Sequence, residues 1–160
     1  MTGVQTCALP IRLGLAAALV LPAAALAPTG LEAQEPSPVA EYRQGLMQGI
    51  RHHFGPLRSL LGGDVEFDAH AVHHARALQG LAVMAGDVFP EGSGEGSRAL
   101  PAIWTDAEGF QAKVDALQAA ATRLAAAAEA GDRSAMQAAV GDMGRSCRGC
   151  HTDYRADANQ

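Results

Sequence analysis

Two cysteines and a histidine near the C-terminus are the residues whose types and spacing could do chemistry. Cys147, Cys150 and His151 lie in the stretch SCRGCHTDYR. Three chemistries use such a set: a thiol–disulfide redox pair, a zinc site, and attachment of haem through two thioether bonds with the histidine as iron ligand. The surrounding sequence distinguishes between them.

The redox and zinc alternatives fit their surroundings poorly. A redox pair needs a helix N-terminus that lowers a thiol pKa, usually after a strand. These cysteines lie instead near the C-terminal end of a predicted helix. Zinc needs further ligands, which His70, His73 and His74 could supply in principle. Their spacing is more typical of an exposed polar helix face, but both alternatives stay open.

Haem attachment accounts for every residue of the motif. Two thiols that add to the two vinyl groups of a porphyrin need a fixed separation, and Cys147 and Cys150 lie about one helical turn apart. His151 follows at once and can bring an imidazole nitrogen to the iron. We therefore expect these three residues to hold a haem.

The N-terminal segment is typical of an export signal. An apolar run, LGLAAALVLPAAALA, follows Arg12 and has the length of a signal peptide. Residues before Arg12, including Cys7, resemble translated sequencing adapter. We expect residues 1–33 to be removed, with cleavage after Ala33, and residues 34–160 to form a haem-binding domain in the periplasm. A retained membrane anchor is the alternative, which the small residues of the run disfavour.

Composition favours packed helices. Aromatic residues make up 4% and charged residues 18% of the chain, and alanine is very frequent. Alanine is the strongest helix former, so we expect an all-α domain. The formal net charge is −5 and Lys113 is the only lysine. No basic stripe is present for nucleic acid, so we expect no nucleic-acid partner.

Four helical segments position the motif. In the first, Ser37 can cap the start, Pro38 suits the first helical position, and Pro56 is expected to cause a kink. The Gly62-Gly63 pair is expected to end this helix. Asp68 can cap the second helix.

The third and fourth helices follow a long connection. Residues 87–106 are rich in glycine and proline and predict a surface loop. The third helix ends at Gly131, and Asp132 can cap the fourth. Apolar positions of the fourth helix recur at intervals of three and four, and they are Met136, Val140, Met143, Cys147, Cys150 and Tyr154. Both cysteines are therefore predicted to lie on a core-facing seam.

These features together resemble the class II c-type cytochromes, the group of cytochrome c prime and its low-spin relatives. CRGCHTDYR closes the fourth helix, EYRQGLM opens the first and LPAIW precedes the third. The resemblance covers about residues 37–156. It implies an antiparallel up-down-up-down four-helix bundle with one covalent haem c on the last helix.

The resemblance also implies roles for individual residues. Cys147 and Cys150 match the thioether positions, His151 the proximal iron ligand, and Arg155 a basic residue beside it. Further positions match the first helix: Arg43 and Gln44 near the haem edge, and Met47 at the distal position. Arg43 could instead be a solvated charge and Met47 only core packing. Trp104 is expected to plug the bundle end.

Two functions fit this scaffold, and neither is enzymatic. We expect a periplasmic electron carrier whose iron is bound by His151 and Met47, meeting redox proteins transiently. The alternative is a five-coordinate, high-spin cytochrome c prime that binds small gases such as nitric oxide. The resemblance implies a homodimer through the first two helices, and no membrane association is expected after signal cleavage.

Overall fold

The computed structural model describes residues 35–157, and every regular element in this range is helical. The helices are α1 (Pro38–Gly62), α2 (Ala71–Met84), α3 (Ala102–Thr105), α4 (Ala107–Glu129) and α5 (Arg133–Tyr154). They belong to one compact unit, Ala33–Gln160. None of the described helices is long and apolar enough to cross a bilayer. The all-α prediction is confirmed, whereas the predicted export signal lies outside the described residues.

Local capping chemistry sets the ends of the long helices. Ser37 accepts a hydrogen bond from the Ala40 amide at 3.2 Å at the start of α1. Gly63 ends that helix in the left-handed conformation, with φ 82°, which only glycine adopts at little cost. Asp132 accepts from the Ala135 amide at 2.9 Å at the start of α5. These three predicted signals are confirmed.

One local prediction differs from the structure. Asp68 does not cap α2: it opens a 3₁₀ turn, Asp68–His70, and pairs with Arg133 Nη1 at 3.1 Å. An exposed carboxylate is free to pair with a distant guanidinium, which local sequence cannot reveal. Pro56 lies inside α1, which runs on to Gly62 as expected, and the kink at Pro56 stays a prediction.

The predicted loop between α2 and α4 contains the short helix α3. The Trp104 indole nitrogen donates to the Phe89 carbonyl at 3.0 Å. Trp104 also packs against a small cluster at the bundle end, hereafter the end cluster, formed by Ile103, Phe110, Val114 and Tyr154. Trp104 therefore plugs this end of the bundle, as expected.

The four long helices share one main core. Its largest fully buried side chains come one from each helix: Leu57, Leu78, Leu124 and Met143. At each interface between neighbouring helices, residue numbers rise along one helix and fall along the other. Two contacts show this for each pair: Gly49–Leu81 and His53–His74 for α1 and α2, Ala82–Gln118 and Arg76–Glu129 for α2 and α4, and Lys113–Asp153 and Arg123–Asp142 for α4 and α5. The helices therefore alternate in direction, which confirms the four-helix bundle.

Candidate haem-attachment site

The three motif residues lie on the last two turns of α5. Cys147 and Cys150 are free, half-buried thiols. Cys147 packs against the main core and Cys150 against the end cluster. His151 is half-buried beside them. The predicted seam is confirmed, although both thiols keep partial exposure.

The electrostatics of the two thiols are unsuited to thiol redox chemistry. Burial raises the pKa of the Cys147 thiol. Burial, followed by the neighbouring Cys147, raises the pKa of the Cys150 thiol. A reactive dithiol needs a lowered pKa, and the C-terminal half of a helix disfavours thiolate. The geometry therefore supports two neutral thiols.

The zinc alternative lacks a ligand set. Within residues 35–157, no three histidine, cysteine or acidic side chains are arranged to hold a metal ion. His74 Nδ1 lies 3.0 Å from His53 Nδ1 of α1, and it does not turn towards the cysteines. His70 and His73 are exposed.

His151 is held in the neutral form that binds iron. Burial, then the charge of Arg155, then that of Arg98, lower the pKa of the His151 imidazole. Arg155 ends α5 and pairs with Ala99 in an isolated antiparallel bridge. Arg98, which no sequence pattern singled out, donates from its Nε to the Ala156 carbonyl at 2.8 Å. A neutral imidazole keeps a lone pair for a metal.

The register between α1 and α5 follows from two contacts. Gln137 Nε2 donates to the Leu61 carbonyl at 3.1 Å. Phe54 Cζ lies 3.6 Å from the position that a Cβ on Gly144 would occupy. Two helical turns separate these contacts on both helices, so the helices run antiparallel in constant register.

Continued by two more turns, this register places Met47 level with His151, and Arg43 level with Arg155. Met47 is half-buried against the main core. Helix α1 packs closely on α2 but only sparsely on α5. A flat group attached to α5 would therefore have α1 as its opposite wall, with Met47 at the height of His151.

Arg43 is a buried guanidinium that holds the connection between α2 and α3. It is 5% exposed, and burial lowers its pKa. Its nitrogens donate to Val88 O, Ser93 O, Ser93 Oγ and Ser97 Oγ at 2.8–3.0 Å, and the guanidinium carbon lies 4.8 Å from the centre of the Phe89 ring. The alternative of a solvated charge is wrong. The serine acceptors were missed because the glycine- and proline-rich pattern of residues 87–106 predicts only a surface loop.

The described residues fit a covalently bound haem. Two neutral thiols lie one turn apart, a neutral imidazole follows them, and α1 packs only sparsely on α5. Gln44 is exposed on α1, next to the buried Arg43. Cys147, Cys150 and His151 are the residues that would hold the group.

Comparison with known proteins decides the family. The model of the family described as "Cytochrome C'" matches residues 38–155, which include all five helices and the motif. The chain belongs to the cytochrome c' family. Members of this family carry one covalently attached haem of the c type.

Curated relatives match nearly their whole length. Cytochrome c' of Rubrivivax gelatinosus is 37% identical over 125 residues, covering 76% of this chain and 97% of the relative. Cytochrome c' of Alcaligenes xylosoxydans xylosoxydans is 36% identical, covering 76% and 95%. Cytochrome c-554 of Cereibacter sphaeroides is 34% identical, covering 88% and 95%.

Solved cytochrome c' structures share the fold. The Rubrivivax gelatinosus protein has a TM-score of 0.71 at 34% identity, covering 76% of this chain and 98% of that one. A variant from Alcaligenes xylosoxidans in complex with nitric oxide has a TM-score of 0.72 at 35% identity, covering 77% and 98%. Another variant of that protein has carbon monoxide bound, with a TM-score of 0.72 at 35% identity and the same coverage.

Proposed function

We propose that this member of the cytochrome c' family keeps an open sixth coordination site and binds small gases such as nitric oxide. The supporting observation is the likeness, at 35% identity and a TM-score of 0.72, to a variant of a cytochrome c prime that was solved as its nitric oxide complex. This favours the gas-binding alternative over the expected electron carrier. The proposed role is binding and not catalysis.

The chain's own residues would create an asymmetric pocket. The neutral His151 imidazole would bind the iron from the α5 side. On the α1 side, the buried Leu46 and Ile50 flank the half-buried Met47. When bound, the haem iron supplies the coordination position for a diatomic ligand. These apolar side chains would restrict water and leave room for a small, uncharged gas.

A gas titration of the ferrous holoprotein tests this proposal. We expect the wild-type protein to bind carbon monoxide and nitric oxide, with a clear change in the Soret band. Met47→Leu, which keeps the size but removes the sulfur, should still bind both gases. If the wild-type protein does not bind carbon monoxide and Met47→Leu binds it, Met47 is an iron ligand and the electron-carrier function is favoured.

We further propose a periplasmic location, which the signal-like run after Arg12 supports. The protein would contact redox partners transiently through its acidic surface. With a net charge of −5, the protein should react with a basic partner at a rate that falls as salt increases. Stopped-flow kinetics across an ionic-strength series measures this, and a flat series would argue against such encounters.

A further inference from the structure

A cluster of histidines lies away from the haem site. The chain has six histidines, one of which is the proposed iron ligand His151. Of the other five, two lie in the second half of α1, one ends the 3₁₀ turn before α2, and two lie at the start of α2. The five are His52, His53, His70, His73 and His74. The proposed gas-binding function uses none of them.

Two of these imidazoles meet directly between α1 and α2. His53 Nδ1 and His74 Nδ1 are 3.0 Å apart, and the ring centroids are 5.2 Å apart at 62°. Such a head-on contact holds one proton between the two nitrogens. His70 lies one turn before His74 and stacks on Phe67 with centroids 5.3 Å apart. Both members of the pair are half-buried, so solvent still reaches them.

The nitrogen separation suits a chelated metal ion. Two imidazole nitrogens bound to one ion at about 2.0–2.1 Å stand about 2.9–3.4 Å apart for angles between square-planar and tetrahedral. The observed 3.0 Å lies within this range. The rings now point at each other, so both must tilt about χ2 to direct their lone pairs at one ion. That torsion is soft in histidine.

We propose that His53 and His74 form a two-histidine site for a divalent transition-metal ion, Cu²⁺ or Zn²⁺, with water completing the coordination. Imidazole suits both ions, and Cu²⁺ should bind more tightly. A third protein ligand is absent from the arrangement in residues 35–157. The site is therefore bidentate and open to solvent.

The electrostatics of His74 favour the neutral imidazole that a metal ion requires. Burial, followed by His53, His70 and His73, lowers the pKa of His74. A metal ion competes with protons for imidazole, so a neutral histidine near pH 7 binds without first losing one. The proton that now lies between the Nδ1 atoms moves to Nε2 of the same ring. A bound ion would then tie α1 to α2.

Calorimetric titration of the ferric holoprotein with ZnCl₂, and separately with CuCl₂, tests the site. We expect one saturable ion per chain and a rise in Tm that increases with metal concentration. His53→Asn and His74→Asn should each weaken binding at least about tenfold. His52→Ala is the matched control, because His52 is exposed and outside the pair.

Electron paramagnetic resonance of the Cu²⁺-loaded protein gives a second readout. Nitrogen hyperfine structure from two imidazoles should be present in the wild type and in His52→Ala, and reduced in either pair variant. If one pair variant fails to fold, the other decides. The proposal is overturned if the wild type binds neither ion saturably, or if His53→Asn binds as tightly as the wild type.

Discussion

At the scale of residues, the buried Arg43 shows how charge is used to fix a loop. Its guanidinium donates to uncharged oxygens of Val88, Ser93 and Ser97 at 2.8–3.0 Å. A buried charge is costly unless its donors are satisfied, so these contacts must form together. The connection between α2 and α3 is therefore anchored to α1, one turn from Met47.

Replacing Arg43 should loosen this anchor. Arg43→Ala removes four charge-assisted hydrogen bonds, but it also removes the desolvation cost of a buried charge, so we expect a net loss of about 2–4 kcal/mol in the free energy of unfolding. Urea denaturation of the holoprotein measures this. Arg51→Ala is the control, because Arg51 is exposed on the same helix and should change stability by less than about 0.5 kcal/mol. Equal effects of the two changes would contradict the anchoring role.

At the scale of elements, Tyr154 and Asp106 join the end of α5 to the start of α4. Tyr154 Oη donates to Asp106 Oδ2 at 2.7 Å, while Asp106 also caps α4 by accepting from the Gly109 amide at 3.2 Å. The hydrogen bond to Asp106, then burial, raise the pKa of Tyr154 to about 12. The contact lies one turn beyond His151.

This pKa predicts a loss of stability in alkali. Between the ordinary tyrosine pKa of about 10 and the folded value, the unfolded chain releases a proton that the folded protein keeps. The free energy of unfolding should therefore fall as pH rises through that window. Tyr154→Phe should flatten this part of the curve, whereas Tyr42→Phe, at the exposed tyrosine, should not. Denaturant melts from pH 9 to about pH 12 compare them, and identical slopes would exclude the Tyr154 contact as the cause.

The sequence predicted the elements better than the contacts between them. Ser37, Gly63 and Asp132 act within one turn of their own positions, so their effects were visible locally. Asp68 pairs with Arg133 of α5, and Arg43 with the loop before α3. Those partners are distant in the chain and depend on how the helices pack.

The candidate site was predictable to a similar degree. The spacing of Cys147, Cys150 and His151 indicates the chemistry because all three act on one short helical segment. To predict that Met47 lies level with His151, the register of α1 against α5 must be known. To predict that His53 contacts His74, the packing of α1 against α2 must be known.

At the scale of the whole molecule, apolar side chains remain exposed along α1 and α2. Tyr42 is 62% exposed and Val83 58%, with Val39 and Met84 each at 39%. Such residues on two neighbouring helices suit contact with a second copy of the chain, as the family resemblance implied. We therefore propose a homodimer through α1 and α2.

The dimer can be tested by charge insertion. Tyr42→Lys and Val83→Lys each bring like charges together across a two-fold interface, so we expect dissociation in sedimentation velocity at micromolar concentration. Val65→Lys, in the connection before α2, is the control and should leave the dimer intact. A wild-type protein that sediments as a monomer would contradict the proposal.

The optical spectrum of the ferric holoprotein tests the central claim most directly. A cytochrome c' with His151 as its only protein ligand should be high-spin and lack the weak sulfur-to-iron charge-transfer band in the far red. Its spectrum should hardly change in Met47→Leu. A low-spin wild-type spectrum with that band, lost in Met47→Leu, would contradict the open site and make Met47 the sixth ligand.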